Sequence, residues 1–145
     1  MKKNKDDLLQ VFPDNPYHPF CWILGKPEIG KGTWIGAFTI IDAKHANIRI
    51  GKGCDISCGA HIYTHNTTKR CVTGRKYNKV DTGSVEIGNY VFIGANAVIQ
   101  MNTRIGDHSI IGAGAVILEG TMIPPYSVAA GVPGRIVKSF KKQKR

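Results

Sequence analysis

The hydrophobic pattern of this chain repeats every six residues. Isoleucine recurs at this step through the C-terminal half without a miss, and shorter runs with the same step lie upstream. The periodic positions are Ile29, Ile35, Ile41, Ile50, Ile56, Ile62, Ile87, Ile93, Ile99, Ile105, Ile111, Ile117 and Ile123. Glycine often follows the isoleucine, and a small or β-branched residue usually stands two positions before it. A period of six does not fit an α-helix, but it is a multiple of the two-residue period of a strand.

A β-branched residue beside glycine at every sixth position is typical of a short strand followed by a tight turn. Three such strands close a triangular coil of eighteen residues, and neighbouring coils stack about 4.8 Å apart in parallel register. The pattern therefore predicts an all-β solenoid in which Ile87, Ile105 and Ile123 lie over one another in the core. Because one six-residue unit cannot bury its apolar face alone, the coils must fold together.

The repeat is interrupted twice. Ile41 and Ile50 are nine residues apart, and Ile62 and Ile87 are twenty-five apart. Residues 63–84, called the excursion loop from here on, are polar and include five Lys and Arg residues. A long interruption inside a regular solenoid is more often a functional loop than an accident. We expect the excursion loop to reach outward and cover a site, on its own subunit or on a neighbouring one.

Two histidines lie where the excursion loop begins. His61 precedes a periodic isoleucine, so strand alternation points it outward from the coil wall, whereas His65 lies where the chain leaves the coil. The residues alone leave open a catalytic base, a pair of metal ligands, or the plain end of a strand. Cys54 and Cys58 would complete a zinc set by residue type. However, Cys54 occupies a small inward position of the repeat, and a buried thiol accounts for it without a metal.

Composition indicates one ordinary domain. The chain has 145 residues, 42% of them hydrophobic and 21% charged, which is enough to bury one core. No apolar run approaches the roughly 18–20 residues of a membrane span, and the N-terminus lacks the apolar region of a signal peptide. We therefore expect a cytoplasmic protein with reduced cysteines and no integral membrane segment. The net charge of +10 comes partly from basic ends, which without interleaved aromatic residues do not predict a nucleic-acid partner.

The repeat, the stretch YTHNT at 63–67 and the ending IPPYSVAAGVPGRIVK at 123–138 resemble the hexapeptide-repeat acyltransferases. The chain looks most like the sugar O-acetyltransferases of surface-polysaccharide clusters and the maltose/galactoside acetyltransferase group. This resemblance covers roughly residues 25–138 and implies a left-handed parallel β-helix. It also implies a homotrimer with each active site between two subunits. The implied segments are an N-terminal cap (1–24), the β-helix acyltransferase domain (25–132) and a basic C-terminal tail (133–145).

The resemblance further implies roles for particular residues. The catalytic histidine of the family sits where the chain leaves the coil, in a Thr-His sequence, which makes His65 the expected general base. Acetyl-CoA would be the donor, and no metal is expected. The implied donor contacts are Gly94, Ala95, Gly112 and Ala113 along the pantetheine arm, Phe92 where many relatives have Trp, and Arg135 and Lys138 at the phosphates. For the acceptor we expect Asp42 and His45, in the short insertion, together with Thr64.

These inferences predict an acetyl-CoA-dependent O-acetyltransferase acting on a sugar or surface-polysaccharide intermediate. Transfer would be direct, in a ternary complex, with His65 removing the proton of the acceptor hydroxyl. A neutral imidazole suits this role at cytoplasmic pH. An N-acetyltransferase of an amino or nucleotide sugar would use the same base and donor. The repeat is also compatible with a metal-dependent solenoid enzyme of the carbonic-anhydrase kind and with a non-catalytic β-helix scaffold or binding protein.

Overall fold

The structure, a computed structural model, describes residues 17–140 of the chain. The first sixteen residues of the expected cap and the last five of the basic tail lie outside the described residues. The helix α1 spans Thr68–Val72. In chain order the strands are β1 (Trp22–Gly25), β2 (Glu28–Ile29), β3 (Trp34–Ile35), β4 (Ile40–Ala43), β5 (Ile48–Ile50), β6 (Asp55–Ile56), β7 (His61–Tyr63), β8 (His65–Asn66), β9 (Asp81–Thr82), β10 (Val85–Ile87), β11 (Phe92–Ile93), β12 (Val98–Ile99), β13 (Thr103–Ile105), β14 (Ile110–Ile111), β15 (Val116–Ile117), β16 (Met122–Ile123), β17 (Ser127–Ala130) and β18 (Arg135–Ser139).

The strands form three long sheets, each taking one strand from every coil. Sheet A has the order β1-β4-β7-β12-β15, sheet B has β2-β5-β10-β13-β16, and sheet C has β3-β6-β11-β14-β17-β18. Strands of neighbouring coils pair in parallel, and only the final β18 joins its sheet antiparallel. The described part of the chain therefore contains five coils. The predicted all-β parallel β-helix is confirmed.

The core is the isoleucine ladder that the repeat predicts. Ile87 pairs with Ile105 and Ile105 with Ile123, and each is at most 4% exposed. The small residues two positions earlier also point inward, and the few hydroxyls among them bond to the next coil, as Thr33 does to the Gly51 carbonyl at 2.7 Å. The six-residue spacing thus determines which residues are buried and which residues of neighbouring coils pair.

The outward faces of the three sheets differ in polarity. On sheet B, acidic and basic side chains alternate from coil to coil, and two ion pairs form there, Arg49–Glu28 at 3.1 Å and Arg104–Glu86 at 2.8 Å. Sheets A and C are mainly apolar outside. Their outward rows are Trp22, Ile40, His61, Val98 and Val116 on sheet A, and Trp34, Asp55, Phe92, Ile110 and Val128 on sheet C. Sheet B therefore suits solvent better than the other two faces do.

The corner between sheets B and C carries a stack of rings. His108 lies between Tyr90 and Tyr126, with ring centroids 5.1 and 4.9 Å apart, and the edge of Phe140 meets Tyr126. All three central residues have a left-handed backbone, with φ between 55° and 58°, although none is glycine. His108 is half-buried in this stack.

Both ends of the column differ from the expected boundaries. Strand β1 pairs with β4 from Trp22 onward, so the first coil begins before residue 25. Phe20 and Trp22, in the implied N-terminal cap, are 53% and 62% exposed, and Phe20 stacks on the exposed ring of Phe38. At the other end, β18 closes sheet C, so residues 135–139 belong to the sheet and are not a free tail.

Candidate active site

The excursion loop leaves the column between sheets A and B as a hairpin with an ordered stem. Strands β8 and β9 pair antiparallel, His65 with Thr82 and Asn66 with Asp81. The amide of Gly83 donates to the Thr64 carbonyl at 2.9 Å and closes the base of the stem. His65 therefore stands on a hydrogen-bonded strand fixed to the column.

A cleft of about 620 Å³ lies between the excursion loop and the wall of the column. Its lining residues are Tyr63, His65, Asn66, Thr68, Lys69, Val72, Asp81, Val98, Gln100, Met101 and Glu119. They come from the stem, from α1, from strands β7 and β12 of sheet A and from the turns of the later coils at the corner between sheets A and B. The expectation that the excursion loop covers a site agrees with this arrangement, because the loop supplies one whole wall.

His65 faces a buried carboxylate. Its Nδ1 lies 3.4 Å from Oδ2 of Asp42, within ion-pair range but without the alignment of a hydrogen bond. The side chain of Asp42 is 9% exposed and that of His65 is 27% exposed. Because Nδ1 is itself buried, Nε2 is the ring nitrogen available to the cleft. This geometry favours the tautomer that carries its proton on Nδ1 and a free lone pair on Nε2.

Asp42 is held in place by the turn that follows it. Its Oδ1 accepts a hydrogen bond from the Lys44 amide at 3.0 Å. The Thr64 hydroxyl donates to the Asp42 carbonyl at 2.7 Å and accepts from the Ala46 amide at 3.3 Å. Thr64 is fully buried, so the expected contact of its side chain with an acceptor does not fit. Asp42, also expected at the acceptor, is turned toward His65 instead.

Two other rings surround His65. His45, from the short insertion, lies against it with ring centroids 4.3 Å apart, and Tyr63 meets it edge-on at 6.4 Å. The Tyr63 hydroxyl is 3.0 Å from Nδ1 of His61. Burial raises the pKa of Tyr63, and the Asp42 carboxylate raises it further. His45 is exposed beside the base, a position compatible with the expected acceptor contact.

The expected donor contacts do not line this cleft. Gly94, Ala95, Gly112 and Ala113 form the turns between sheets C and A, and Phe92 points outward from sheet C. Gly94 is buried, and a Cβ there would collide with the Ala113 amide of the next coil. The stacking of coils is therefore sufficient to explain this glycine, with or without a contact to the donor. Within one subunit, the structure places these residues on the opposite edge of sheet A from His65.

The last two expected donor residues, Arg135 and Lys138, are exposed along β18. Gly134, which precedes them, is buried over the final coil, where a Cβ would come within 2.6 Å of Ile117 Cδ1. That contact explains why glycine occupies this position. Arg135 and Lys138 therefore follow a residue that is tightly packed on the column.

The register of sheet A points to two residues of the cleft, Tyr63 and Gln100, that were not expected from the sequence. Asp42, Tyr63, Gln100 and Leu118 each follow the periodic isoleucine of a successive coil, so they lie at equivalent positions at this corner. Gln100 bonds the amide of the next lining residue, Glu119, through Oε1 at 3.0 Å. The spacing of these residues can be read from the sequence, but it does not show that their corner of the column faces the excursion loop.

The described residues show no group of three or more His, Cys, Asp or Glu side chains that could hold a metal ion. The thiol of Cys54 points inward, 3.1 Å from the Gly88 carbonyl, whereas Cys58 is exposed on a turn. The zinc set considered from the sequence therefore does not converge. Across residues 17–140, no helix has the length and apolar character that a membrane crossing requires.

The sequence pattern of the bacterial transferase hexapeptide family, described as six repeats, matches residues 84–119. None of the curated proteins matches the chain. Over residues 84–119 the chain is similar to the hexapeptide-repeat transferases. This similarity confirms the predicted resemblance, and with the parallel three-sheet architecture it agrees with the left-handed β-helix that the resemblance implies.

Solved structures similar to this chain include acyltransferases of two kinds. AntD, an N-acyltransferase from Bacillus cereus solved with dTDP and 3-hydroxybutyryl-CoA, is 27% identical with a TM-score of 0.73. A maltose O-acetyltransferase from Clostridium difficile 630 is 25% identical with a TM-score of 0.69. Each match covers 84% of this chain and 67% of the other. The predicted enzyme class, an acyltransferase, is therefore confirmed.

A third similar structure is a hexapeptide-repeat containing acetyltransferase from Vibrio cholerae O1 biovar eltor, solved with acetyl-CoA. It is 27% identical with a TM-score of 0.66, over 87% of this chain and 63% of that one. The similar structures therefore include proteins bound to CoA, to acetyl-CoA and to a longer acyl-CoA.

Proposed function

We propose that this protein transfers an acetyl group from acetyl-CoA to a hydroxyl of a sugar or surface-polysaccharide intermediate, with His65 as general base. The single observation that carries the proposal is the pairing of His65 with buried Asp42 at the edge of a cleft. A carboxylate at Nδ1 orients the ring and stabilises the imidazolium that forms when Nε2 accepts a proton. The neighbouring acyltransferases support the reaction class.

The reaction proceeds in one ternary complex. The acceptor hydroxyl attacks the thioester carbonyl carbon while its proton moves to Nε2 of His65. The tetrahedral intermediate then expels the CoA thiolate, which takes the proton back from the imidazolium. No protein nucleophile takes part, so the cysteines have no catalytic role. The side chain of Asp42 is held in place beside Nδ1, and its fixed position avoids reorganisation during the proton transfer.

The expected homotrimer agrees with the surfaces of the column. The apolar outward rows of sheets A and C suit contact with neighbouring subunits, and the charged row of sheet B suits solvent. The expected donor residues lie across sheet A from His65 within one subunit. A neighbouring subunit would bring its own copies of Phe92, Gly94 and Ala113 to the cleft. We therefore infer an active site shared by two subunits of a cytoplasmic enzyme.

The CoA phosphates are assigned to β18. Arg135 and Lys138 are exposed there, and ion-pair partners for them are absent from residues 17–140. A guanidinium fork suits a phosphate better than a single ammonium does. Arg135→Ala should therefore weaken CoA binding by about 1–3 kcal/mol, whereas Lys26→Ala on the first coil should not change it. Calorimetry of both variants with CoA checks the assignment, and an unchanged affinity in Arg135→Ala would contradict it.

A second candidate function is N-acylation of an amino sugar. The observation that favours it is the similarity to AntD, whose fold match is as good as that of the O-acetyltransferase. His65 would serve equally well to remove the proton of an attacking amine. Assays with matched acceptors that differ only in a hydroxyl or an amino group at one carbon distinguish the two reactions.

The experiment that tests the proposal is His65→Ala. We expect turnover to fall by about 10²–10⁴-fold while CoA affinity changes little, because the imidazole acts in proton transfer and not in donor binding. Release of CoA thiol is measured across a panel of sugars and nucleotide sugars, with His18→Ala as a matched histidine control away from the cleft. A His65→Ala protein as active as wild type would refute the assignment of the base.

A further inference from the structure

The excursion loop carries a concentration of positive charge without counter-charges. Its only carboxylate, Asp81, is engaged through Oδ1 with the Tyr77 hydroxyl at 2.6 Å. Within residues 17–140, no cation of the loop forms an ion pair, and Lys69 instead lies over the Tyr77 ring at 4.1 Å. The five cations are Lys69, Arg70, Arg75, Lys76 and Lys79.

The two arginines on the outer face of sheet B have carboxylate partners, in contrast to the cations of the excursion loop. On sheet B, Arg49 and Arg104 each meet a glutamate of an adjoining coil. Over the eleven residues from 69 to 79, by comparison, five cations occur with no acidic residue among them. Their mutual repulsion is unfavourable unless an anion binds nearby.

The backbone of the loop is also ordered locally, which fixes the positions from which these side chains project. The Thr73 hydroxyl donates to the Lys69 carbonyl at 2.8 Å and accepts from the Tyr77 amide at 3.1 Å. The Arg75 amide donates to the Arg70 carbonyl at 3.0 Å. Lys69 lines the cleft that holds His65, so the charged segment begins at the wall of the site. Ordered cations on one side of a cleft concentrate anions there, and arginine binds phosphate with two parallel hydrogen bonds.

We propose that the excursion loop binds a phosphate or diphosphate group of the acceptor, so that the acceptor is a phosphate-linked sugar and not a free one. The inference rests on the proposed function, in which Arg135 and Lys138 already meet the phosphates of the donor. The cations of the excursion loop, of which Lys69 lines the cleft that holds His65, form a second and separate set that is then left for a second anion. A diphosphate could link the sugar to a nucleoside or to a polyprenyl lipid, and the chemistry that the loop recognises is the same in both.

The first test uses inorganic pyrophosphate as the probe. It is titrated by calorimetry into wild-type protein saturated with CoA, so that the donor site is already filled. We expect binding, and at least a tenfold weaker Kd in Lys76→Glu/Lys79→Glu, two exposed changes in the loop. The matched control is Lys26→Glu/Lys31→Glu, which alters net charge equally on the first coil. Absence of binding to wild type, or an equal loss in the control, would overturn the proposal.

The second test identifies which phosphate-linked acceptor is used and separates donor from acceptor. Acyl transfer is measured with one sugar in three forms: free, linked to uridine diphosphate, and linked to polyprenyl diphosphate in detergent. We expect one linked form to exceed the free sugar at least tenfold in kcat/KM, and Lys76→Glu/Lys79→Glu to remove that advantage. Equal use of the free sugar, or a raised KM for acetyl-CoA in place of the acceptor, would overturn the inference.

The two proposals fail in different ways. Absence of CoA binding, or of thiol release with every acceptor, counts against the acyltransferase function itself. Pyrophosphate binding requires no turnover, so the role of the loop is decided even then.

Discussion

Replacement of Asp42 by asparagine tests the central geometry of the site. The amide is nearly isosteric, and its oxygen can still accept the hydrogen bond from the Lys44 amide. The change therefore removes the charge that faces Nδ1 of His65 without removing the support of the turn. It also offers Nδ1 an amide donor, which favours the tautomer with its proton on Nε2 and so blocks the base.

The magnitude follows from the 3.4 Å separation of Asp42 Oδ2 and His65 Nδ1. Opposite unit charges at that distance attract by about 1 kcal/mol in water and by about 5 kcal/mol at an effective dielectric constant of about 20. Because Asp42 is buried and His65 is partly exposed, the loss should lie between these limits. A loss of about 2–4 kcal/mol of transition-state stabilisation corresponds to a roughly 30- to 1,000-fold lower kcat.

The assay is steady-state release of CoA thiol, with the affinity for CoA and the thermal unfolding of each protein measured in parallel. Glu86→Gln, the same carboxylate-to-amide change on the solvent-facing sheet, is the control and should keep wild-type turnover. We expect Asp42→Asn to lower kcat while CoA affinity stays the same. Turnover within about twofold of wild type would show that the carboxylate does not assist His65, and the reasoning from the pair would be refuted.

Three further predictions concern the column. Gly134→Ala should lower the free energy of unfolding by about 1–3 kcal/mol, because the new Cβ meets Ile117 Cδ1; urea denaturation measures it, and an unchanged midpoint would contradict the packing. Burial raises the pKa of the Cys54 thiol, so at pH 8 a thiol reagent should modify exposed Cys58 quickly and Cys54 only after unfolding; equal rates would refute this. Arg104→Ala should change the free energy of unfolding by less than about 1 kcal/mol, since its ion pair is exposed, and a larger loss would be inconsistent with that exposure.

The column itself was predictable because one residue type marks each strand. The spacing of isoleucines sets which residues lie eighteen apart and therefore in contact, as Ile87 and Ile105 are. The same arithmetic places Tyr90, His108 and Tyr126 over one another, yet the ring stack was not anticipated. Corner residues point outward, and their contacts depend on a left-handed backbone that propensity does not favour in tyrosine.

The site was predictable only in part, since its chemistry depends on contacts across the interruptions of the repeat. His65 stands out because it lies where the chain leaves the column. Its partner Asp42 is twenty-three residues earlier, in a coil lengthened by the short insertion, so the eighteen-residue rule does not link them. The orientation of Asp42 is set by the turn to Lys44 and by buried Thr64, neither of which leaves a periodic signal.

The stem of the excursion loop, two paired residues long, separates changes at the tip of the loop from changes at the catalytic histidine. Strands β8 and β9 hold the base of the hairpin on the column, whereas beyond them the cleft lies between the hairpin and the wall. Lengthening or recharging its tip would add only a small loop-closure entropy and leave the isoleucine core undisturbed. Insertions at the tip can thus change the acceptor preference without disturbing His65 and Asp42 at the base of the hairpin.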